Sequence, residues 1–165
     1  MAETMDTLNV HEEEDTQEGM YLTFPLGNEG YGIEIRYVTE IIGMQNITEL
    51  PDVTHFVKGV INLRGKIIPV IDIRLRFGLK EREYDDRTCI IVIDITGVSV
   101  GLIVDNVSEV VSIPEKDVDY SESLNRDAKS EYIKAFGKLG DEVKILLDSE
   151  RLFCDGELEG LSKAG

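Results

Sequence analysis

The sequence predicts an all-β protein built from two small, fused β-barrels, and three observations support this prediction. Short stretches of strand-forming residues alternate with turns, with few helical stretches between them, which is typical of small barrels or a sandwich. Two blocks of sequence recur in the same order in the two halves of the chain. Each half of about 60 residues would bury only roughly 60% of its unfolded surface, so the halves should share an apolar interface.

The first hairpin has the clearest pattern. Met20–Leu26 alternates apolar and polar residues, Gly27–Gly30 supplies the turn, and Tyr31–Ile35 returns as the second strand. Further strands are predicted at Thr39–Met44, Gly59–Leu63, Lys66–Ile73, Thr88–Ile95, Ser99–Val104, Glu109–Ile113 and Glu142–Leu147.

A few short segments favour helical geometry. Helical turns are predicted at Pro51–Lys58 and Arg74–Gly78, and a longer helix at Asp127–Leu139. Pro69 has no amide hydrogen to donate, so its strand is predicted to lie at a sheet edge or a barrel corner.

The repeat divides the chain. Gly32–Ile42 aligns without gaps to Gly101–Val111, and Phe56–Phe77 aligns to Tyr132–Phe153. The identical pairs are Gly32/Gly101, Val38/Val107, Glu40/Glu109, Lys58/Lys134, Leu63/Leu139, Asp72/Asp148 and Phe77/Phe153. We therefore predict one barrel repeat at residues 20–80 and a second at 88–155, with a groove where the two meet. The repeat leaves open whether strands exchange between the barrels.

Charge and composition restrict the partners. Residues 1–19 hold seven acidic residues and no Lys or Arg, so we expect a disordered acidic tail, and residues 156–165 form a C-terminal tail. A net charge of −16 argues against nucleic acid and anionic membrane as partners. Because no secretory signal and no apolar run long enough to span a bilayer is evident, the chain is expected to be cytoplasmic. Cys89 and Cys154 are then expected to be reduced. We also expect the isolated chain to be a monomer.

No active site is evident. The two histidines, His11 and His55, have no partners at metal-ligand spacing, so no metal site and no cofactor are expected. Asp85 and Asp86 read as a solvated loop rather than an acid–base pair. Asp72 and Asp148 recur in both repeats, which favours a capping role at the short turns that start at Arg74 and Glu150. The alternatives are a small carboxylate-based hydrolase and a purely structural subunit that self-assembles through barrel edges.

One surface stands apart from the repeat. Arg64, in the turn Asn62–Gly65, is replaced by glycine in the second repeat, so the fold does not need it. It is either a partner-binding residue or an ordinary turn residue, and Glu40 could hold its guanidinium. Val38 and Val107 are either core residues or the lining of the groove, where they would accept a partner helix.

These residues resemble the CheW family of chemotaxis coupling proteins over essentially all of residues 20–155. The resemblance is carried by Gly32–Ile35 with Val38 and Glu40–Ile42, by Pro51 and the long run Phe56–Asp72, by Arg74–Phe77, and by Gly101–Ser108. The central run is highly specific.

The resemblance implies two five-stranded SH3-like barrels and a non-catalytic adaptor. It implies that the chain joins chemoreceptor signalling helices to the histidine kinase CheA. Receptor binding is expected along the inter-barrel groove at Val38, Glu40, Arg64 and Val107. The regulatory domain of the kinase is expected to meet a barrel end, with Ile47 as the candidate contact.

Overall fold

The structure, a computed structural model, describes residues 17–120 and 132–153, and these residues form two β-sheets. The strands are β1 Met20–Leu26, β2 Glu29–Glu34, β3 Val38–Gly43, β4 Val57–Leu63, β5 Lys66–Asp72, β6 Cys89–Ile95, β7 Val98–Val104, β8 Val110–Ser112, β9 Val118–Asp119, β10 Ile133–Leu139 and β11 Glu142–Leu147. The helices are α1 Ile73–Arg76 and the 3-10 helices Ile35–Tyr37, Glu115–Asp117 and Arg151–Phe153. The all-β prediction is confirmed.

Each sheet is built from strands of both halves of the chain. One sheet has the order β8-β1-β2-β11-β10-β9, and the other has the order β3-β6-β7-β5-β4. Since β1, β2 and β3 correspond to β6, β7 and β8 in the repeat, each barrel takes its first hairpin from one repeat and its remaining strands from the other. The strand exchange that the sequence left open is therefore present, as an intramolecular form of domain swapping. We name the barrels barrel A (the six-stranded sheet) and barrel B (the five-stranded sheet).

The repeat alignment is reproduced in the strand register. In barrel A, β2 pairs in parallel with β11, with Gly32 opposite Leu146. In barrel B, β7 pairs in parallel with β5, with Gly101 opposite Val70. A Cβ on Gly32 would approach Leu146 Cδ2 at 3.0 Å, and a Cβ on Gly101 would approach Val70 Cγ1 at 2.7 Å. The recurrent glycine therefore leaves room for the apolar residue on the neighbouring parallel strand.

Both barrels close in the same manner. After β3 the chain bends, and Thr48 exchanges backbone hydrogen bonds with Val60 of β4. After β8 the chain bends likewise, and β9 pairs with β10. Of the five strands expected per barrel, barrel B has five and barrel A has six, the sixth being the two-residue β9.

The apolar residues form three clusters. One fills barrel B, around Ile61, Ile68 and Val70. A smaller one fills barrel A, around Ile113 and Leu146. The largest lies where the barrels meet and draws on strands of both sheets, including Phe24, Ile33, Ile71, Leu102 and Leu147. This shared cluster is the apolar interface predicted from the size of the repeats.

Most predicted strands agree with the structure to within two residues, but two local predictions are wrong. The helix predicted at Asp127–Leu139 is strand β10 from Ile133 onward, and residues 127–131 lie outside the described part. Its alternate residues Ala135 and Gly137 are buried, and it pairs with β11 on one side and β9 on the other, so tertiary pairing overrides helix propensity. Pro51–Lys58 forms turns that lead into β4 rather than a helix.

The prediction for Pro69 is confirmed at the proline itself. Strand β5 as a whole lies between β4 and β7, but at Pro69 its paired neighbour is β4 alone. The parallel pairing with β7 begins only at Val70, one residue after the proline. Pro69 is therefore tolerated because it precedes the point where β5 gains its second neighbour.

Candidate partner-binding site

Arg64 stands at the tip of the β4–β5 turn in a backbone conformation that favours glycine. Its φ is 53°, in the left-handed region, and its counterpart in the second repeat is Gly140 with φ 63°. Asn62 holds the turn, since its side-chain oxygen accepts a hydrogen bond of 2.8 Å from the Gly65 amide. A residue with a side chain is disfavoured in this conformation, so the arginine here is retained at a cost to the fold.

The ion pair suggested by the sequence is present. The Arg64 guanidinium donates to the Glu40 carboxylate, which β3 presents beside the turn. The hydrogen bond and charge of Glu40 raise the pKa of Arg64, which therefore stays cationic. The Arg64 side chain is 70% exposed and that of Glu40 is 29% exposed. An exposed guanidinium fixed on one side retains donors that point to solvent.

Val38 and Val107 occupy matching positions at the margin of the shared cluster. Both are half-buried, and both pack against the residues between the barrels. Val38 begins β3 and lies opposite Ile93, which places it on barrel B. Val107 follows β7, just before Ser108 and Glu109 bond to Thr23 of β1 in barrel A. The two valines therefore lie at the seam between the barrels, partly in the shared core and partly accessible.

Ile47 lies where barrel B closes. It is half-buried and packs against the apolar cluster of that barrel. A Cβ on Gly59 would overlap the carbonyl oxygen of Thr48 and come within 3.0 Å of Ile47 Cγ2, and the φ of Gly59 is +142°. Glycine at 59 therefore permits the close approach of residues 47–48 to β4.

Two exposed apolar side chains were missed by the sequence reasoning. Ile41 on β3 is 42% exposed and Ile67 on β5 is 56% exposed. Their repeat counterparts Val110 and Val143 are also exposed, at 45% and 53%. The alignment contained this signal, because Ile41 aligns with Val110 and Ile67 with Val143. Both pairs lie on strands where apolar and polar residues are expected to alternate.

A cleft of about 390 Å³ lies elsewhere, between the β1–β2 hairpin and the start of β11. Pro25, Asn28, Glu29, Glu142 and Lys144 are among its lining residues. None of the predicted site residues lines this cleft.

The recurring aspartates Asp72 and Asp148 both accept hydrogen bonds from backbone amides. Asp72 is the one carboxylate among the described residues that is fully buried; it accepts hydrogen bonds from Tyr84 Oη at 2.8 Å and from the Leu75 amide. Burial, with this hydrogen bond, raises the pKa of Tyr84. Asp148 accepts from the amides of Glu150 and Arg151, so the predicted capping roles are confirmed.

Asp85 and Asp86 are exposed, as expected for a solvated loop. The Arg87 amide donates to Asp85, and this bond, with the charge of Arg82, lowers the pKa of that carboxyl. Over residues 17–120 and 132–153, no three His, Cys, Asp or Glu side chains gather as metal ligands would. In the same ranges no helix has the length and apolar character to cross a membrane. Cys89 is a free thiol, and Cys154 and His11 lie outside these ranges.

Comparison with known proteins identifies a family. The family model described as CheW-like domain matches residues 20–157. The chain is 38% identical to the chemotaxis protein CheW of Klebsiella aerogenes over 138 residues, covering 84% of this chain and 83% of that protein. It is 32% identical to the CheW of Treponema pallidum over 145 residues, covering 86% and 85%. The crystal structure of the scaffolding protein TtCheW from Thermoanaerobacter tengcongensis matches with a TM-score of 0.76 and 36% identity, over 82% of this chain and 92% of that one.

Proposed function

Because the chain belongs to the CheW family, we propose that it is a cytoplasmic chemotaxis adaptor that couples the histidine kinase CheA to transmembrane chemoreceptors. The relatives that it matches are chemotaxis and scaffolding proteins rather than enzymes, and this chain is a scaffold of the same kind. Its partners would be the signalling helices of the receptors and the regulatory domain of the kinase.

Arg64 is the observation that carries the proposal. The second repeat makes the equivalent turn with Gly140, so the backbone does not require a side chain at this position. An arginine in a left-handed conformation, 70% exposed and oriented by Glu40, is better explained by a partner than by the fold. Arginine is also among the residues most enriched at interface hot spots.

The receptor would bind at the seam. Val38 and Val107 present apolar surface from the two sides of the shared cluster, and Glu40 and Arg64 add charged donors and acceptors at its barrel B side. An amphipathic receptor helix suits such a surface, since its apolar residues contact the valines while its polar face meets the charges.

The kinase would bind the closed end of barrel B. Ile47 packs against the apolar cluster there, and the exposed Ile41 and Ile67 lie on strands of the same barrel. Apolar groups of this size exposed on a rigid sheet are suited to a protein contact. A receptor at the seam and a kinase at the barrel end would occupy the adaptor together, and a receptor shift would change the kinase by a coupling free energy of about 1–3 kcal/mol.

Self-assembly through sheet edges is not favoured. The edge strands of barrel A, β8 and β9, have three and two residues. In barrel B the bend after β3 pairs with β4 at Thr48. Short or covered edges offer little backbone for a second copy to pair with.

Replacing Arg64 with glycine tests the proposal. Arg64→Gly should weaken binding to a receptor signalling fragment roughly tenfold or more, which calorimetry can measure. Binding to the kinase regulatory domain should be unchanged, and the melting temperature should stay level or rise, because glycine relieves the left-handed backbone.

Thr96→Gly is the matched control. Thr96 has φ 49° in the β6–β7 turn, and its repeat counterpart is Gly27. This variant relieves the same kind of backbone strain and should leave both partners bound. Loss of kinase binding together with receptor binding in Arg64→Gly, or an unchanged receptor affinity, would refute the assignment of Arg64.

A further inference from the structure

The Arg76 side chain joins the two barrels through two hydrogen bonds. Arg76 ends α1, the helical turn that follows β5, so its backbone belongs to barrel B. Its Nη1 donates to Tyr132 Oη at 3.0 Å, and its Nε donates to the Leu152 carbonyl oxygen at 3.2 Å. Tyr132 immediately precedes β10, and Leu152 follows β11, so both acceptors belong to barrel A.

The guanidinium is also enclosed by two aromatic rings. Its central carbon lies 4.4 Å from the ring centroid of Phe56 and 4.4 Å from that of Tyr132. These two aromatics are counterparts in the repeat, one before β4 and one before β10. An arginine half-buried between two rings is held by cation–π contacts in addition to its hydrogen bonds.

Arg76 also binds the residue that aligns with it in the second repeat. Its own counterpart in the second repeat is Leu152, the residue whose carbonyl it binds. The adjacent Phe77 continues the contact, since its ring stacks on Tyr132 at 5.4 Å and lies 5.3 Å from the ring of Tyr31 on β2. Arg76 and Phe77 of the first repeat thus make polar and aromatic contacts with Tyr132 and Leu152 of barrel A.

We propose that Arg76 is a positioning residue that fixes the angle between the two barrels and thereby the shape of the receptor groove. This proposal rests on the proposed function of the seam. Val38 and Val107 both pack on the shared cluster, and so do Phe56, Tyr132 and Leu152, which Arg76 contacts. A change in the inter-barrel angle alters the spacing of groups on opposite sides of the seam but leaves each barrel intact. Apolar burial holds the two barrels together without a preferred direction, whereas hydrogen bonds have a preferred geometry and so fix the orientation.

The consequence is a difference between the two partner sites. The receptor groove uses residues on both sides of the seam, whereas the proposed kinase contact at Ile47 lies within barrel B. Loss of the Arg76 contacts should therefore impair receptor binding selectively. A residue that only stabilised the fold would impair both.

The test uses Arg76→Leu in the full chain, which places at 76 the residue that the second repeat has at 152. We expect receptor-fragment binding to fall by roughly tenfold and kinase-domain binding to change by less than about twofold. Tyr132→Phe, which removes only the hydroxyl acceptor, should give a smaller change in the same direction. Arg82→Leu is the control, because it makes the same arginine-to-leucine change away from the seam. Arg82 is exposed and forms ion pairs with Asp85 and Asp105.

A second measurement needs no partner. With both native cysteines replaced by serine, spin labels at Ile67→Cys and Val143→Cys report the distance between equivalent exposed positions of the two barrels. Arg76→Leu should shift or broaden this distance distribution, and Arg82→Leu should not. An unchanged distribution with equal losses of both partners would overturn the positioning role. If the parent chain binds neither partner, the proposed function fails, while the spin-label result still decides the role of Arg76 at the seam.

Discussion

The two repeats share one backbone plan and differ in the side chains placed on it. Arg64 and Gly140 occupy the same left-handed turn position, and only the first repeat presents a charged group there. Arg76 and Leu152 occupy the same position after the fifth strand, and only the first repeat sends a guanidinium across the seam. Gly32 and Gly101 agree and leave room for the residue on the neighbouring strand. Arg64 and Arg76 have no charged counterpart, and these are the residues that we propose for binding and for the geometry between the barrels.

The largest difference in stability between the two repeats is expected at Gly59, whose repeat counterpart is Ala135. Gly59→Ala should destabilise the fold by about 3 kcal/mol or more, since a Cβ there overlaps the backbone carbonyl of Thr48 and the φ of +142° disfavours a side chain. Denaturant titration followed by circular dichroism measures the loss.

Ala135→Gly is the reciprocal change and should cost only about 1 kcal/mol, through backbone entropy and lost packing. Equal losses for the two variants would show that the close approach at Thr48 does not distinguish the barrels.

The ion pairs of Lys58 on β4 and Lys134 on β10 should differ in how they change the stability of the fold with pH. Lys134 donates to Glu34 of the exchanged strand β2, where Glu34 is 13% exposed, whereas Lys58 pairs with Glu81, which is 64% exposed. Burial alone would raise the pKa of Glu34, but hydrogen bonds from Lys134 and Arg36 outweigh it and lower the pKa. A lowered pKa stabilises the fold above the unfolded value of 4.5, and this stabilisation is lost as pH falls through the folded pKa.

Glu34→Gln should therefore cost about 1–2 kcal/mol at neutral pH and flatten the fall in stability on the acid side. Glu81→Gln should change neither quantity measurably, because an exposed pair contributes little. The free energy of unfolding measured from neutral to acid pH distinguishes the two variants, and identical profiles would contradict the account of the exchanged strand.

The smallest expected effect is at Ser149, the counterpart of Ile73. Both are fully buried, but Ser149 Oγ has no hydrogen-bond partner among the residues described. Removing a buried, unpaired hydroxyl should stabilise the protein, so Ser149→Ala is expected to gain about 0.5–1 kcal/mol. A loss of stability in the same denaturation assay would show that the hydroxyl is bonded in solution.

Local patterns predicted the strands well, since alternation and turn residues are properties of neighbouring residues. The helix predicted at Asp127–Leu139 failed for a reason that the repeat itself contained, because Ile133–Leu139 aligns to strand β4. The exchange of hairpins could not be predicted. The β1–β2 and β6–β7 hairpins are counterparts, so pairing within a repeat and pairing between repeats satisfy the same pattern of apolar residues.

In the candidate site, too, some features could be predicted from the sequence and others depend on the tertiary structure. The choice of Arg64 followed from a difference between aligned turns, which needs no tertiary information. Its pairing with Glu40 depended on the turn facing β3, which the structure shows. The contacts of Arg76 with Tyr132 and Leu152 depend on how the exchanged barrels meet, and no spacing in the sequence encodes that meeting. Its role therefore emerges only from the structure.

The central claim is that one adaptor holds two partners at once, on a seam formed by both barrels and on one end of barrel B. Sedimentation of the chain with the kinase regulatory domain and a receptor signalling fragment, separately and together, tests it most directly. The account predicts that each partner binds alone and that all three components migrate as one complex. Displacement of one partner by the other, or failure of the chain to bind either, would contradict it.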